Sequence, residues 1–229
     1  GSGSGSLSVA DDLYAGGSIV IDASKNGGTL DLAQLTASGL TVSLGTVGDF
    51  SASLIDVEGG GFTLDGANSQ SASVVIGTMS ASAAATISLG SGSGSMVASS
   101  LVVAGALTID GSGNKYDGTM DVTVVSASGV SIATGTRGDF SAQTMVSTKN
   151  VVFDGSISTS AEVTLGQVTA VGSITVSMGS GSGSLSTLGL DGQGAAVMDA
   201  SKFAGTMDIS KVSASGVTIS TGTLGDFSG

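Results

Sequence analysis

The chain has 229 residues, of which 39 are glycine, and it contains no proline, cysteine, histidine or tryptophan. Its formal net charge of −12 excludes the basic surface that a nucleic-acid or anionic-membrane partner requires, and no apolar run is long enough for membrane insertion. Without histidine or cysteine there is no imidazole base, thiol nucleophile, ordinary zinc site or disulfide, so we expect no enzymatic activity.

A long sequence repeat organises the chain. Gly-Ser-Gly-Ser-Gly-Ser occurs at 1–6, 90–95 and 179–184, and Gly-Asp-Phe-Ser occurs at 48–51, 138–141 and 225–228. Self-similarity at a fixed period is typical of architectures in which each unit completes its core by stacking on the next. We therefore expect one continuous segment over 1–229, part of a longer protein, with internal repeats 1–89, 90–178 and 179–229, the last one partial.

Shorter runs divide each repeat. Apolar residues that alternate with Thr, Ser or Val are typical of a half-buried strand. Such runs recur about every 22 residues, at 19–22, 40–44, 62–65, 85–89, 107–110, 130–133, 151–154, 174–178, 196–199 and 217–220. The constant step predicts an all-β fold, a right-handed parallel β-solenoid of about ten rungs of roughly 22 residues, with two or three short strands in each rung. A β-sandwich is the alternative, but it has no reason to keep a constant step.

The corners and the core follow from the same register. Gly-Ser-Gly-Ser-Gly-Ser falls in step with the rungs, so we interpret it as a corner of a rung rather than a flexible linker. The phenylalanine of each Gly-Asp-Phe-Ser turn is expected to fill the core at one corner. The residues predicted to point inward include Phe50, Ala52, Phe140, Leu185, Leu188 and Phe227.

Acidic residues recur in three sets, at strand ends, within strands and in the Gly-Asp-Phe-Ser turns. One interpretation is Ca²⁺ coordination by carboxylates and turn carbonyls. The other is turn formation, in which Asp accepts hydrogen bonds from nearby backbone N–H groups. The candidate calcium ligands are Asp22, Asp65, Asp110, Asp154 and Asp199 at strand ends, Asp31, Asp121 and Asp208 within strands, and Asp49, Asp139 and Asp226 in turns.

Two further features carry smaller hypotheses. The repeated lysines Lys25, Lys115 and Lys202 are expected to pair with a neighbouring Asp at the surface. The outward hydroxyls form a flat row, an arrangement that ice-binding solenoids use in stricter form. The members of this row are Thr41, Ser43, Thr86, Ser88, Ser131, Thr175, Ser177, Thr218 and Ser220.

The amino-acid composition resembles that of a known kind of sequence, being rich in Gly, Ser, Thr, Ala, Val and Asp. Motifs such as Gly-Thr-Leu-Gly-Asp-Phe-Ser-Gly at 222–229 share this resemblance. It is similar to the repetitive β-solenoid regions of large secreted bacterial surface proteins, namely surface-layer proteins, giant adhesins and extracellular filament subunits. The resemblance implies an extracellular or cell-surface location. Many such proteins carry calcium-binding Gly-Gly-x-Gly-x-Asp nonapeptides, which this chain lacks.

These observations favour an extracellular structural protein, a stiff rod that builds a surface layer, filament or stalk. Open β-edges at the two ends of a solenoid predict self-association. The alternative is an adhesin or binding module that recognises a cell surface or glycan. That function calls for exposed aromatic residues, for which Tyr14 and Tyr116 are the candidates.

Overall fold

The computed structural model describes residues 3–46, 48–70, 73–112, 116–222 and 226–229. These residues form strands and turns without a helix, and the strands stack in parallel as a β-solenoid of about ten coils. The all-β solenoid predicted from the constant step is therefore confirmed. Each strand of one coil pairs with the corresponding strand of the next, which is why a nearly constant number of residues separates equivalent positions.

The strands are assigned to coils in chain order. Coils 1 and 2 are single long strands, β1 (Leu7–Asp22) and β2 (Leu30–Ser43), and coils 5 and 6 are likewise β7 (Ser95–Asp110) and β8 (Thr119–Ala133). The remaining coils are coil 3, β3 (Phe50–Val57) and β4 (Phe62–Asp65); coil 4, β5 (Val74–Ala81) and β6 (Ala85–Ser88); coil 7, β9 (Asp139–Ser147) and β10 (Val151–Gly155); coil 8, β11 (Glu162–Ala170) and β12 (Ile174–Met178); coil 9, β13 (Ser184–Gly192) and β14 (Ala195–Ala200); and coil 10, β15 (Thr206–Ile209), β16 (Val212–Ser213) and β17 (Gly216–Thr221). A final strand, β18 (Asp226–Ser228), begins to cover coil 10.

The register places like residues above one another. The step between coils ranges from 20 residues, between Leu30 and Phe50, to 24 residues, between Phe50 and Val74. The row that opens each coil consists of Leu7, Leu30, Phe50, Val74, Met96, Met120, Phe140, Val163, Leu185, Met207 and Phe227. This row is apolar, so the core runs the length of the stack without a polar layer at this position.

Each coil has three short segments, and each segment sends two side chains inward. In coil 2 the inward pairs are separated by two outward residues, which mark the two bends. The pairs are Leu30 and Leu32, Leu35 and Ala37, and Leu40 and Val42. The alternating runs found in the sequence correspond to the third segment. The first two segments were harder to recognise because the bend between them breaks the two-residue alternation.

The predicted core residues are mostly inward. Phe50 and Phe140 are buried in the opening row, and the Phe140 ring packs against that of Phe153 with centroids 5.3 Å apart. Phe227, predicted to fill the core, is instead 49% exposed. It sits in the same row as the other two, but β18 lies on coil 10 and is covered by no further coil among the described residues.

Leu188 was predicted to point inward and does not. It is 67% exposed, and the neighbouring Thr187 occupies the inward row in its place, paired with Leu165 below and Ile209 above. The prediction placed the alternation one residue too late. As a result a hydroxyl is buried in an apolar row, and the Oγ1 of Thr187 has no hydrogen-bond partner in the described part of the chain.

The Gly-Ser-Gly-Ser-Gly-Ser runs at 90–95 and 179–184 are confirmed as corners, whereas Gly1 and Ser2 of the first run lie outside the described residues. The serines at 91, 93, 180 and 182 are exposed, while the glycines face the corner of the preceding coil. A Cβ added at Gly181 would overlap the carbonyl oxygen of Thr159, and one at Gly183 would overlap that of Ala161. Backbone therefore lies directly on backbone at this corner, and no larger residue fits.

The coils come in four kinds, repeating every 89 residues or so. Coils 1, 5 and 9 are of the first kind and follow a Gly-Ser corner. Coils 2, 6 and 10 are of the second kind, coils 3 and 7 of the third, and coils 4 and 8 of the fourth. The long sequence repeat is thus a unit of four coils, and every first-kind coil inside the stack lies on a fourth-kind coil.

We expect Thr187→Val to stabilise the protein. Valine has nearly the shape of threonine, and the change removes a buried hydroxyl without a partner, for a gain of about 1 kcal/mol in the free energy of unfolding. Urea unfolding measures the change. The matched control is Thr164→Val, at an outward position of the preceding coil, which should alter stability little. A destabilised Thr187→Val variant would contradict the assigned environment.

Candidate functional site: the repeated acidic and hydroxyl rows

The strand-end aspartates form turns. In every case the Asp Oδ1 accepts a hydrogen bond from the backbone N–H two residues later, for example from Ser112 to Asp110 at 2.9 Å and from Ser156 to Asp154 at 2.9 Å. The same bond occurs at Asp22, Asp65 and Asp199. The short Asp side chain reaches the backbone N–H two residues further along the chain. It thereby stabilises the turn that follows the third segment of alternate coils. The turn interpretation of this row is confirmed.

Two of these carboxyls have a lowered pKa. At Asp22 the chief cause is the Ser24 hydroxyl, which donates to Oδ1 at 2.6 Å, and the backbone N–H of Ser24 adds to it. At Asp199 the hydroxyl and N–H of Ser201 have the same effect. Lys25 and Lys202 lower the pKa of Asp22 and Asp199 further through their charge, although less than the serines do. The equivalent Lys115 lies outside the described residues.

The aspartates within strands point outward, as predicted, from the first segment of second-kind coils. Asp31 accepts a hydrogen bond from the hydroxyl of Ser51 in the next coil at 3.1 Å, and Asp208 accepts one from Ser228 at 3.1 Å. Asp121 is equally exposed and lies beside Ser141. The two hydrogen bonds tie a second-kind coil to the third-kind coil above it, on the solvent side of the ladder.

The turn aspartates also bridge successive coils. Asp49 accepts a hydrogen bond from the backbone N–H of Ser73 at 2.9 Å, and Asp139 accepts one from Glu162 at 2.8 Å. Each partner residue stands just before the opening row of the following coil. Asp226, in the same motif, is exposed. The Gly-Asp-Phe-Ser motif thus combines an outward coil-to-coil hydrogen bond with an inward phenylalanine.

The calcium interpretation depends on whether the carboxylates converge. Asp121, Asp139 and Glu162 line one shallow cleft of the surface. However, within the residues that the structure describes, no group of three or more acidic side chains is arranged to hold a metal ion. The eleven aspartates lie in separate rows. The five at strand ends, together with Asp31, Asp49, Asp139 and Asp208, accept hydrogen bonds from backbone or serine donors. Calcium binding by these residues stays a prediction.

The hydroxyl row is confirmed as an outward row of the third segment. Thr41, Thr86 and Thr175 are half-buried between neighbours above and below. Two further members, Thr63 and Thr108, were not predicted; each lies two residues before a strand-end Asp, in a coil where Asp replaces the second hydroxyl of the row. The structure pairs Thr41 with Thr63, Thr63 with Thr86, and Thr86 with Thr108, so four consecutive coils carry threonine at one position.

The two tyrosines have different environments. Tyr14 is 73% exposed, in agreement with its candidacy as a contact residue. Tyr116 is buried, and its hydroxyl lies 2.8 Å from the carbonyl oxygen of Gly94 and 2.9 Å from that of Thr119, so it is not available to a ligand. Burial raises the pKa of the Tyr116 phenol. Phe203 occupies the equivalent corner of the next repeat and is also buried.

No protein-family model, curated protein or solved structure matches the chain. In the described ranges no helix is long and apolar enough to cross a membrane. The function is therefore inferred from the geometry of the chain itself.

We expect the Asp199 carboxyl to titrate below its ordinary value of 3.8. Because the pKa is lower in the folded than in the unfolded protein, the hydrogen bonds stabilise the fold above the unfolded pKa, and this contribution is lost as the pH falls through the folded pKa. NMR titration of the side-chain carboxyl, and urea unfolding between about pH 6 and pH 2, measure the two effects.

The Ser201→Ala variant should raise the pKa of Asp199 towards its ordinary value, because the larger of the two hydrogen bonds is lost. Ser180→Ala, at an exposed serine of a Gly-Ser corner, is the control and should leave that pKa unchanged. An Asp199 carboxyl that titrates at or above 3.8 in the unmodified protein would contradict the assigned turn.

Proposed function

We propose that this chain is a structural rod of an extracellular surface layer, filament or stalk. The observation that carries the proposal is the unbroken stack: about ten coils share one parallel ladder and one apolar core. A solenoid of this kind transmits load through backbone hydrogen bonds from coil to coil, and it can be lengthened by repeating the unit. At roughly 4.8 Å per coil, ten coils give a rod about 48 Å long.

The outer surface supports a structural role. Its recurring features are rows of Asp, Ser and Thr, among which Asp31, Asp49 and Asp139 accept hydrogen bonds from the next coil. Recurrence of such rows from one four-coil unit to the next is typical of a scaffold. An enzyme, by contrast, needs a constellation found in one place. The net charge of −12 favours solubility. The extracellular location is proposed from the resemblance to secreted surface proteins.

The two ends support self-association. Apolar side chains of the core rows are partly exposed there, with Leu7 at 46% on coil 1 and Val217 at 50% on coil 10. Among the described residues β1 pairs with β2 along one edge, and the other edge of a strand in this position can pair with a further strand. Burying both the apolar rows and the open edge against another molecule would extend the rod.

A binding module is the second candidate, favoured by Tyr14 alone. Its exposed ring stands beside a shallow cleft lined by Thr36, Ser38 and Glu58. An aromatic ring next to hydroxyl and carboxylate groups suits stacking against a sugar. Binding of a glycan array that is lost in Tyr14→Ala would favour this function.

Electron microscopy of the protein over a range of concentrations tests the structural role. We expect short rods that join end to end as the concentration rises. The Leu7→Lys, Val217→Lys double variant should remain as single rods, because a charge at each end opposes burial. The matched control is Val97→Lys, Val102→Lys, two side chains on the flanks with similar exposures of 43% and 44%.

Rods that stay single at every concentration, or assembly that the end variant leaves intact, would contradict the proposed self-association. Repeating the experiment with EGTA addresses calcium. Assemblies that disperse on chelation would identify the aspartate rows as metal sites, whereas assemblies indifferent to chelation would leave the aspartates as turn formers.

A further inference from the structure

The N-terminal face has residues equivalent to those that coils 5 and 9 use to contact the coil beneath them. We use this name for the side of residues 3–22 that points away from coil 2. Coil 1 is of the first kind, and the other two first-kind coils, 5 and 9, each lie on a fourth-kind coil. Residues shaped by that contact in coils 5 and 9 can therefore be compared with the same residues in coil 1.

The Gly-Ser corner gives the first comparison. Gly3 corresponds to Gly92 and Gly181, and Gly5 corresponds to Gly183. At each of these three equivalents a Cβ would overlap a carbonyl oxygen of the preceding corner, and Gly92 also has a φ of +133°, which disfavours other residues. At Gly3 and Gly5 no atom of the described residues lies within 4 Å of the Cβ position. The local structure gives no reason for glycine there.

The second bend of the coil repeats the pattern at a separate place. Gly16 corresponds to Gly105 and Gly194. A Cβ at Gly105 would lie 2.6 Å from the carbonyl carbon of Ala83, and one at Gly194 would lie 2.8 Å from that of Gly172. Both contacts are with the fourth-kind coil beneath. At Gly16 the same space is open, with nothing within 4 Å.

The inward side chains give an independent comparison. Leu7 is 46% exposed, whereas its equivalents Met96 and Leu185 are 0% and 1% exposed beneath coils 4 and 8. The other inward residues of coil 1 are partly buried and pack against the core from one side only. They are Val9, Leu13, Ile19 and Ile21.

From these comparisons we infer that the N-terminal face is a docking surface for a fourth-kind coil, carried by a neighbouring four-coil repeat. The occupant is defined by the two interior examples, 66–88 and 155–178. Each has a Gly-x-x-Ser-x-Ser-Ala corner followed by strands with aliphatic inward residues. In coil 8 this corner supplies the carbonyls of Ser158, Thr159 and Ala161 that face the Gly-Ser corner of coil 9.

This inference deepens the proposed structural role and rests on it for its biological use. It assigns a partner to one end, since a first-kind coil lies on a fourth-kind coil at both interior junctions. The C-terminal end presents coil 10, of the second kind, and the beginning of a third-kind coil. A second copy joined end to end would thus offer different corners to the N-terminal face, and it is one of the outcomes that the test separates.

The test uses the full chain extended at its N-terminus by a second copy of residues 155–178, so that Gly1 follows Met as Gly179 follows Met178. Hydrogen exchange read by mass spectrometry reports on 7–22. We expect exchange in this segment to slow by about tenfold or more, towards the rate of 95–110, because an edge strand becomes an interior strand. A chain extended by the same residues in shuffled order is the control.

A matched pair of variants tests the role of the glycine. Gly16→Ala should leave the unextended chain as stable as before or raise its Tm, since the space is open, yet it should abolish the slowing in the extended chain. Gly105→Ala should lower the Tm of the unextended chain, because the added Cβ meets the backbone of Ala83. Unchanged exchange over 119–133 verifies that each variant is folded.

Exchange over 7–22 that is unaffected by the extension, or that slows equally with the shuffled one, would overturn the inference. So would an extended Gly16→Ala chain that keeps the slowing, because coil 1 would then tolerate a side chain at the contact. End-to-end joining of unextended copies, as the proposed function expects, should slow exchange over 7–22 less than the extension does, because the C-terminal end offers the beginning of a third-kind coil instead of a fourth-kind coil. Equal slowing would assign the face to a second copy. None of these results bears on whether single rods form, which electron microscopy tests, so the two proposals fail separately.

Discussion

The structure depends on backbone lying directly on backbone from one coil to the next. Along the strands, the parallel ladder accepts any residue that can form its hydrogen bonds. At the corners, by contrast, successive coils lie so close together that no side chain fits between them. At Gly181 and Gly183 the carbonyls of the preceding corner occupy the space that a side chain would need. This constraint explains why glycine recurs at the same corner of each repeat, and why the chain contains no proline, which would remove a donor from the ladder.

The same stacking determines where function can reside. Side chains on the flanks repeat with the coils, so the flanks present rows of Asp, Ser and Thr rather than a unique pocket. Asp49 and Asp139 show that much of this chemistry serves the stack itself, since each accepts a hydrogen bond from the next coil. The ends differ from the flanks because they alone expose the core rows, as Leu7 and Val217 do. This distribution supports the proposal that the rod associates through its ends.

The fold was largely predictable from the sequence, because the step of about 22 residues is a direct consequence of stacking. The turn role of Asp110 was also within reach, since it depends on residues close in sequence. The position of Leu188 was not, because a one-residue shift at a bend moves a side chain from core to solvent. Nor was the burial of Tyr116, whose hydroxyl bonds to Gly94, 22 residues earlier in the chain.

Cysteine pairing across adjacent coils tests the parallel register most directly, and the absence of native cysteine makes the result unambiguous. Thr86 and Thr108 face each other on neighbouring coils, roughly 4.8 Å apart. The Thr86→Cys, Thr108→Cys variant should therefore form a disulfide readily. Thr63 and Thr108 are two coils apart, roughly 9.6 Å, and Thr63→Cys, Thr108→Cys should not form one within the molecule. Efficient intramolecular cross-linking of the second pair, or failure of the first, would contradict the solenoid.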